Sequence, residues 1–161
     1  MKMKVKNRYF LNKKRLKKIK NDLGEYSSIL SDKKRIEYLE ADPIPFILVD
    51  DEPTIVLIDD RPYPTLKYMI NNDLTSVKKV VVDMGAVKFM ANGADVMSPG
   101  ITDASENIVK DDVVVIVDED HNRPLAVGVS LIKADEMVNN DKGKAVKTIH
   151  FIGDDIWNLE V

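Results

Sequence analysis

Residues 80–101 read VVVDMGAVKFMANGADVMSPGI, and this stretch decides the fold. Residues 80–82 are a fully apolar run of strand length. Asp83 stands where a helix N-cap belongs. Residues 84–90 follow as a compact helix whose Ala86, Val87, Phe89 and Met90 are apolar, with Phe89 and Met90 expected in the core. Asn92-Gly93 ends the helix with a pair suited to positive φ. Residues 94–97 read as a second strand, and Ser98-Pro99-Gly100 turns it.

Downstream, residues 113–117 form a strand long enough to be buried on both faces. Residues 119–123 are a polar turn. Residues 124–131 place Leu125, Val127, Val129 and Leu131 on one face of a strand. Residues 134–140 read as a helix. Residues 146–152 read as a strand with Val146, Thr148, His150 and Ile152 on one side, and residues 156–159 are expected to close the sheet. Many short strands with a small helix after the first and another before the last two predict a small, nearly closed barrel with helices plugging its openings. This unit holds a complete strand set and is expected to fold alone.

Upstream, residues 11–23 read as a helix, with Leu16, Ile19 and Leu23 at i, i+3 and i+7 and Gly24 just beyond its end. Residues 27–32 are turn-like, and residues 35–40 lean towards strand. Residues 46–49 and 54–58 are β-rich runs, with residues 50–53 as the turn between them. Residues 61–64 are expected to break the chain, because proline cannot continue a strand interior. Thr65 then caps a helix with Leu66, Met69 and Ile70 on its apolar face. The expected organisation is therefore α+β: a module at residues 1–76, a short linker near residues 71–77, and a barrel module at residues 77–161.

The chain has 161 residues, 44% hydrophobic and 32% charged. That is a globular composition, and no run approaches the roughly 18 apolar residues of a membrane span. No signal peptide is read, and the expected compartment is the cytosol. Cysteine is absent and only two histidines occur, which excludes disulfides, thiolate sites and histidine-rich zinc sites. The net charge of −3 hides an asymmetry. Ten of the 24 Lys and Arg lie in residues 1–20, with none of the 27 acids. The first twenty residues thus carry +10 and the rest −13. Such a basic arm fits contact with a polyanion, or it neutralises the chain's own acidic body.

Catalytic sets are missing. No serine has a nearby base, no phosphate-binding Gly-rich loop is present, and no enzyme activity is expected. The acidic turns at 50–52, 59–60, 118–120 and 154–155 read as solvated charge before they read as cation sites. No cofactor and no metal are expected.

The stretch 80–101 resembles the opening of a PUA domain, through Asp83, Gly85, Ala86, Lys88, Gly93, Ala94, Val96, Met97, Pro99 and Gly100. The likeness continues in Asp112-Val113, Ala126–Ser130, Lys142–Ala145 and His150–Trp157. Upstream, Pro62-Tyr63-Pro64-Thr65-Leu66 and the helix LNKKRLKKIKNDL resemble the pre-PUA region of the malignant-T-cell-amplified family of translation proteins, which includes small archaeal members. The resemblance implies a small pre-PUA α+β domain followed by a PUA pseudo-barrel, a mixed β-barrel with two short helices. It implies a non-enzymatic RNA-binding role in translation, with a tRNA 3′ end or ribosomal RNA, the small ribosomal subunit and a density-regulated type of protein as partners. A detached subunit of a tRNA-modifying enzyme, of transglycosylase or pseudouridine synthase type, and a ribosome-assembly factor are the alternatives. The absence of cysteine means that a metal site described for some members is not carried over.

The implied RNA-binding residues are Lys88, Asn92, Gly93, Ala94, Asp95, Met97, Pro99, Gly100 and His150. Lys13, Lys14, Arg15, Lys17 and Lys18 form the basic arm. Each has a plainer reading. Gly93 serves close RNA approach or only ends a helix. Lys88 meets phosphate or water. Met97 lines an RNA rim or the core. His150 stacks on a base or sits in the core with a satisfied hydrogen bond. Trp157 seals the core or stacks on RNA.

Overall fold

The computed structural model describes residues 3–31, 34–73 and 77–160. Asp32 and residues 74–76 of the expected linker lie outside the described residues. The N-terminal part is a five-stranded antiparallel sheet in sequential order: β1 (Lys4–Phe10), β2 (Ile36–Asp42), β3 (Phe46–Val49), β4 (Glu52–Ile58) and β5 (Arg61–Pro64). Helices α1 (Lys13–Leu23) and α2 (Leu66–Asn71) accompany it. Asn12 caps α1 by accepting from Arg15 N–H at 2.8 Å, and Thr65 caps α2 through Tyr68 N–H at 3.4 Å. Two tight hairpins turn on Asp50-Asp51 and Asp59-Asp60, with φ of 50°, 72°, 51° and 64°. Asp tolerates this left-handed region better than most residues with a Cβ, which suits the twist of a two-residue hairpin.

Several local expectations are corrected. Residues 61–64 do not break the chain; they are the edge strand β5. Thr65 N–H donates to Thr54 C=O at 2.9 Å. By alternation the N positions of Pro62 and Pro64 point away from β4, where no donor is needed. Residues 24–29 form a 3-10 helix that puts Tyr26 and Ile29 into the core and overlaps the stretch 27–32 expected to be turn-like. Residues 4–10, where no element was expected, form β1, which pairs along β2 from Lys4↔Asp42 to Phe10↔Glu37.

The C-terminal part is a six-stranded mixed sheet, nearly closed into a barrel: β6 (Lys79–Val82), β7 (Val96–Met97), β8 (Ile101–Ala104), β9 (Val113–Asp118), β10 (Pro124–Ser130) and β11 (Lys144–Phe151). Its order is β7-β11-β10-β9-β6-β8, antiparallel except for the β6–β9 pair. Helices α3 (Met84–Met90) and α4 (Ala134–Asn139) complete it. The strand β8 had no expectation in the sequence. Residues 156–159 form turns rather than a closing strand, yet Ile156 and Leu159 are buried.

Strand β9 explains how the two parts sit together. Its Val114 and Ile116 fill the barrel with Val80, Val82, Ala126 and Val146. Its Val115 and Val117 point the other way, with Val127, into a core shared with Ile19, Leu23, Ile47 and Ile55 of the first part. Val129, Ile156 and Leu159 join Leu39, Phe46 and Tyr63 in a further shared cluster. Each fully buried side chain of this size contributes about 1.5–3 kcal/mol. The outer face of the barrel sheet is thus an interior surface of the whole chain.

Candidate functional site

The turn that follows β6 begins at Asp83. Its carboxylate accepts from Ala86 N–H at 2.9 Å and so starts α3, while its own N–H donates to Gly100 C=O at 2.8 Å. The same segment therefore holds α3 against the Ser98–Gly100 turn. A Cβ at Gly100 would lie 3.2 Å from the Ala86 methyl, so the close approach needs a residue with little bulk there. Between these pieces and the start of β11 lies a groove of about 590 Å³. Phe89 and Met97 both line it, 53% and 45% exposed, and Lys144 stands in its wall.

Side-chain bonds pin one wall. Asp95 accepts from Thr148 N–H at 2.9 Å and pairs with Lys144 Nζ at 3.2 Å. Thr148 Oγ1 donates to Ala94 C=O at 2.8 Å. Together they fasten the α3–β7 turn to β11.

The expected site residues divide. Ala94, Asp95, Met97, Pro99 and Gly100 come together in the groove lining. Lys88 is exposed on α3 with Nζ 5.3 Å from the centre of the Phe89 ring. Asn92 and Gly93 do not line the groove. Gly93 has φ of 77°, its N–H donates to Met90 C=O at 3.1 Å, and a Cβ there would fall 2.5 Å from Phe151 Cε1. The space that glycine leaves is filled by the chain's own phenylalanine, and its N–H is not available to a ligand.

His150 is also corrected. It is fully buried. Its Nε2 accepts from Leu66 N–H at 3.1 Å, at the start of α2 in the other module. The hydrogen-bond pattern therefore assigns the proton to Nδ1, which meets Asp154 at 2.8 Å. Asp154 further accepts from Phe151 N–H and Trp157 N–H, each at 2.8 Å. Burial would push its carboxyl up, but the His150 bond and these two N–H donors outweigh that and hold it below the ordinary range. His150 is a pin between modules. Trp157 is partly buried, with Lys67 Nζ 5.0 Å from its ring.

Phe89 and Lys144 are among the groove residues that escaped the sequence reading. Phe89 was expected in the core, but Met90 takes that place, almost fully buried. Adjacent residues on a helix point about 100° apart, and with Met90 turned into the barrel Phe89 is left facing the groove. Lys144 belongs to the wall only because β11 passes beside β7, a pairing between distant segments.

The basic segment lies on β1 and α1. Lys13, Lys14 and Lys17 are exposed, Arg15 lies 4.3 Å over the Tyr38 ring, and Lys18 pairs with Asp22 at 3.2 Å. Arg8 is engaged elsewhere. It grips Glu37 through two nitrogens at 2.8 and 3.0 Å and also pairs with Asp51, which Arg35 joins. Those hydrogen bonds raise the Arg8 guanidinium and hold the Glu37 and Asp51 carboxyls below their usual values. Among the described residues no group of three or more His, Asp or Glu is arranged to hold a metal ion, and no helix is long and apolar enough to cross a membrane.

A barrel of this order, with its short helix after the first strand and a groove beside it, defines a protein with a C-terminal PUA-type module. Residues 78–152 match the model described as PUA domain, and residues 7–72 match that described as domain of unknown function DUF1947. The chain is 47% identical over 162 aligned positions to a protein of Methanocaldococcus jannaschii, covering 98% of this chain and 99% of that one. It is 31% identical to translation machinery-associated protein 20 of Saccharomyces cerevisiae, covering 83% and 77%. A crystal structure of a Pyrococcus horikoshii protein superposes with a TM-score of 0.83 at 36% identity, over 94% of this chain and 98% of that one. The chain belongs to the PUA-domain family that includes translation machinery-associated protein 20 and the malignant T-cell-amplified proteins.

Proposed function

We propose that the protein is a non-catalytic RNA-binding adaptor of the translation machinery. In this reading the groove holds an unstacked nucleotide at a 3′ end, such as the acceptor end of a tRNA, while the basic face of β1 and α1 docks on the small ribosomal subunit. The observation that carries it is the pair of exposed apolar walls, Phe89 and Met97, beside Lys144. A single-stranded end offers a base to stack and a phosphate to pair; the apolar walls meet the first demand, and Lys144, which would exchange its Asp95 partner for the phosphate, meets the second. Membership in a family whose relatives are named for the translation machinery supports the setting. The mechanism is positioning: binding energy favours one tRNA or ribosome state over another.

Fluorescence anisotropy with a tRNA acceptor-stem mimic tests the groove. Phe89→Glu puts a charge against the base and should weaken binding to the single-stranded 3′ end by about tenfold or more. A blunt duplex should be bound equally by both proteins. Equal affinity of parent and variant for the acceptor mimic removes the groove from the function. Co-sedimentation of the full chain with purified small subunits tests the docking, and free protein at the top of the gradient would refute it.

A further inference from the structure

We infer that Tyr9 is the outer plate of a second base-binding site on the N-terminal module, built as a stack of Tyr9, Tyr38 and Arg15. This inference rests on the reading of the protein as an RNA binder and names the residues by which the basic face would hold an unpaired base. Strand β1 is exposed along its whole length, on both faces, yet carries aromatic side chains. Tyr9 sits opposite Tyr38 in the ladder, with ring centres 5.3 Å apart and planes 27° from parallel. The Arg15 guanidinium lies 4.3 Å from the Tyr38 ring centre. Tyr38 is thereby held in place and Tyr9 is laid upon it, still 47% exposed. Phe10 points to the opposite face by strand alternation and is no part of the stack.

The surroundings select the occupant. Lys4, Lys6, Lys13, Lys14 and Lys17 flank Tyr9 in the chain, all are exposed, and none has an ion-pair partner among the described residues. A packed apolar pair needs no such collar. A nucleotide needs both parts, a flat ring for the base and cations for the phosphates on either side. The ligand class is single-stranded or bulged RNA with an extruded base, and stacking makes the site tolerant of base identity.

The test uses the full chain and two labelled oligonucleotides of equal length and charge: an oligoadenylate, and the same strand with abasic positions at its centre. Both carry the same 3′-terminal adenosine, so the groove contributes equally to each. The parent should prefer the strand with central bases by about five- to a hundredfold, as for one stacked base. Tyr9→Leu should lose that preference while keeping its salt dependence, and Tyr9→Phe should retain it. Circular dichroism of Tyr9→Leu checks that β1 is still paired. If Phe89→Glu weakens binding but Tyr9→Leu leaves the preference intact, the groove reading stands and this inference is overturned. If neither strand binds at all, the RNA reading itself has failed.

Discussion

Replacing His150 separates the two roles that a histidine at this position can have. In the folded chain its ring joins Leu66 N–H to the Asp154 carboxylate, with no solvent exposure. His150→Leu keeps much of the volume and removes both bonds. The buried Leu66 N–H is left without an acceptor, at about 1–3 kcal/mol. The bond to a carboxylate is worth about 1.5–3 kcal/mol more. Together the loss is roughly 3–5 kcal/mol, and a chain of this size melts about 2–4 °C lower per kcal/mol. The melting temperature should therefore fall by about 6–20 °C. Two further variants divide the loss. In His150→Asn an amide N–H can take the place of Nδ1 and keep Asp154, while in His150→Gln an amide oxygen can reach the Nε2 position and keep Leu66. Each should melt between the parent and His150→Leu. Thermal unfolding by circular dichroism reads the stability, and anisotropy at a temperature where all variants are folded reads RNA affinity, expected within about twofold of the parent. A His150→Leu protein that melts with the parent but has lost RNA binding would refute the pin and return His150 to the RNA site.

Acid unfolding should track Asp154 and Asp118. Burial pushes the Asp118 carboxyl up, but it is held below 3.8 because the backbone N–H groups of His121 and Arg123 and the Arg123 side chain outweigh that. A lowered folded-state value gives stability that is present above 3.8 and is lost as pH falls through the folded value. Urea midpoints should be level from neutrality to about pH 5 and drop below about pH 4, and the Asp118→Asn/Asp154→Asn protein should be weaker at pH 7 with a shallower acid limb. An unchanged acid limb would assign acid unfolding to other carboxylates. Gly93→Ala should cost about 2 kcal/mol or more, since it combines positive φ with overlap onto Phe151, and Phe151→Leu beside it should recover only the overlap part. Full stability of Gly93→Ala in urea would contradict the close approach. Changing Lys4, Lys6, Lys13, Lys14 and Lys17 to Gln should flatten the log–log salt dependence of RNA binding by about 2–3 with little change in melting, at about 0.7 per phosphate contact; an intact slope would make this face a structural or protein-docking element and remove it from RNA binding. Deleting residues 1–20 is a poorer test, because it removes Ile19 from the core. Residues 78–161 alone should expose Val115, Val117 and Val127 and bind a hydrophobic dye. A cooperative unfolding transition without dye binding would show that the barrel needs no cover.

Sequence by itself determined the α+β class and nearly every element of the barrel. These are local matters. Asp83 caps the helix that follows it, glycine and asparagine mark the turn, and apolar runs with period two mark strands. The α1 helix was equally legible from Leu16, Ile19 and Leu23 with Gly24 beyond, and Gly24 indeed takes φ of 55°. Tertiary structure alone decided the roles of single residues. Pro62 and Pro64 become strand residues because β5 is an edge that needs no donors on its outer side. Gly93 is glycine because Phe151, 58 positions away, occupies its Cβ space. His150 faces inward by alternation in the sequence, but what it meets there, Leu66 N–H of another module, is a fact of packing. A local pattern records which side of a strand or helix is apolar. It holds no record of which distant segment arrives to cover it, and that arrival settled whether Phe89, Gly93 and His150 face the groove or the chain itself.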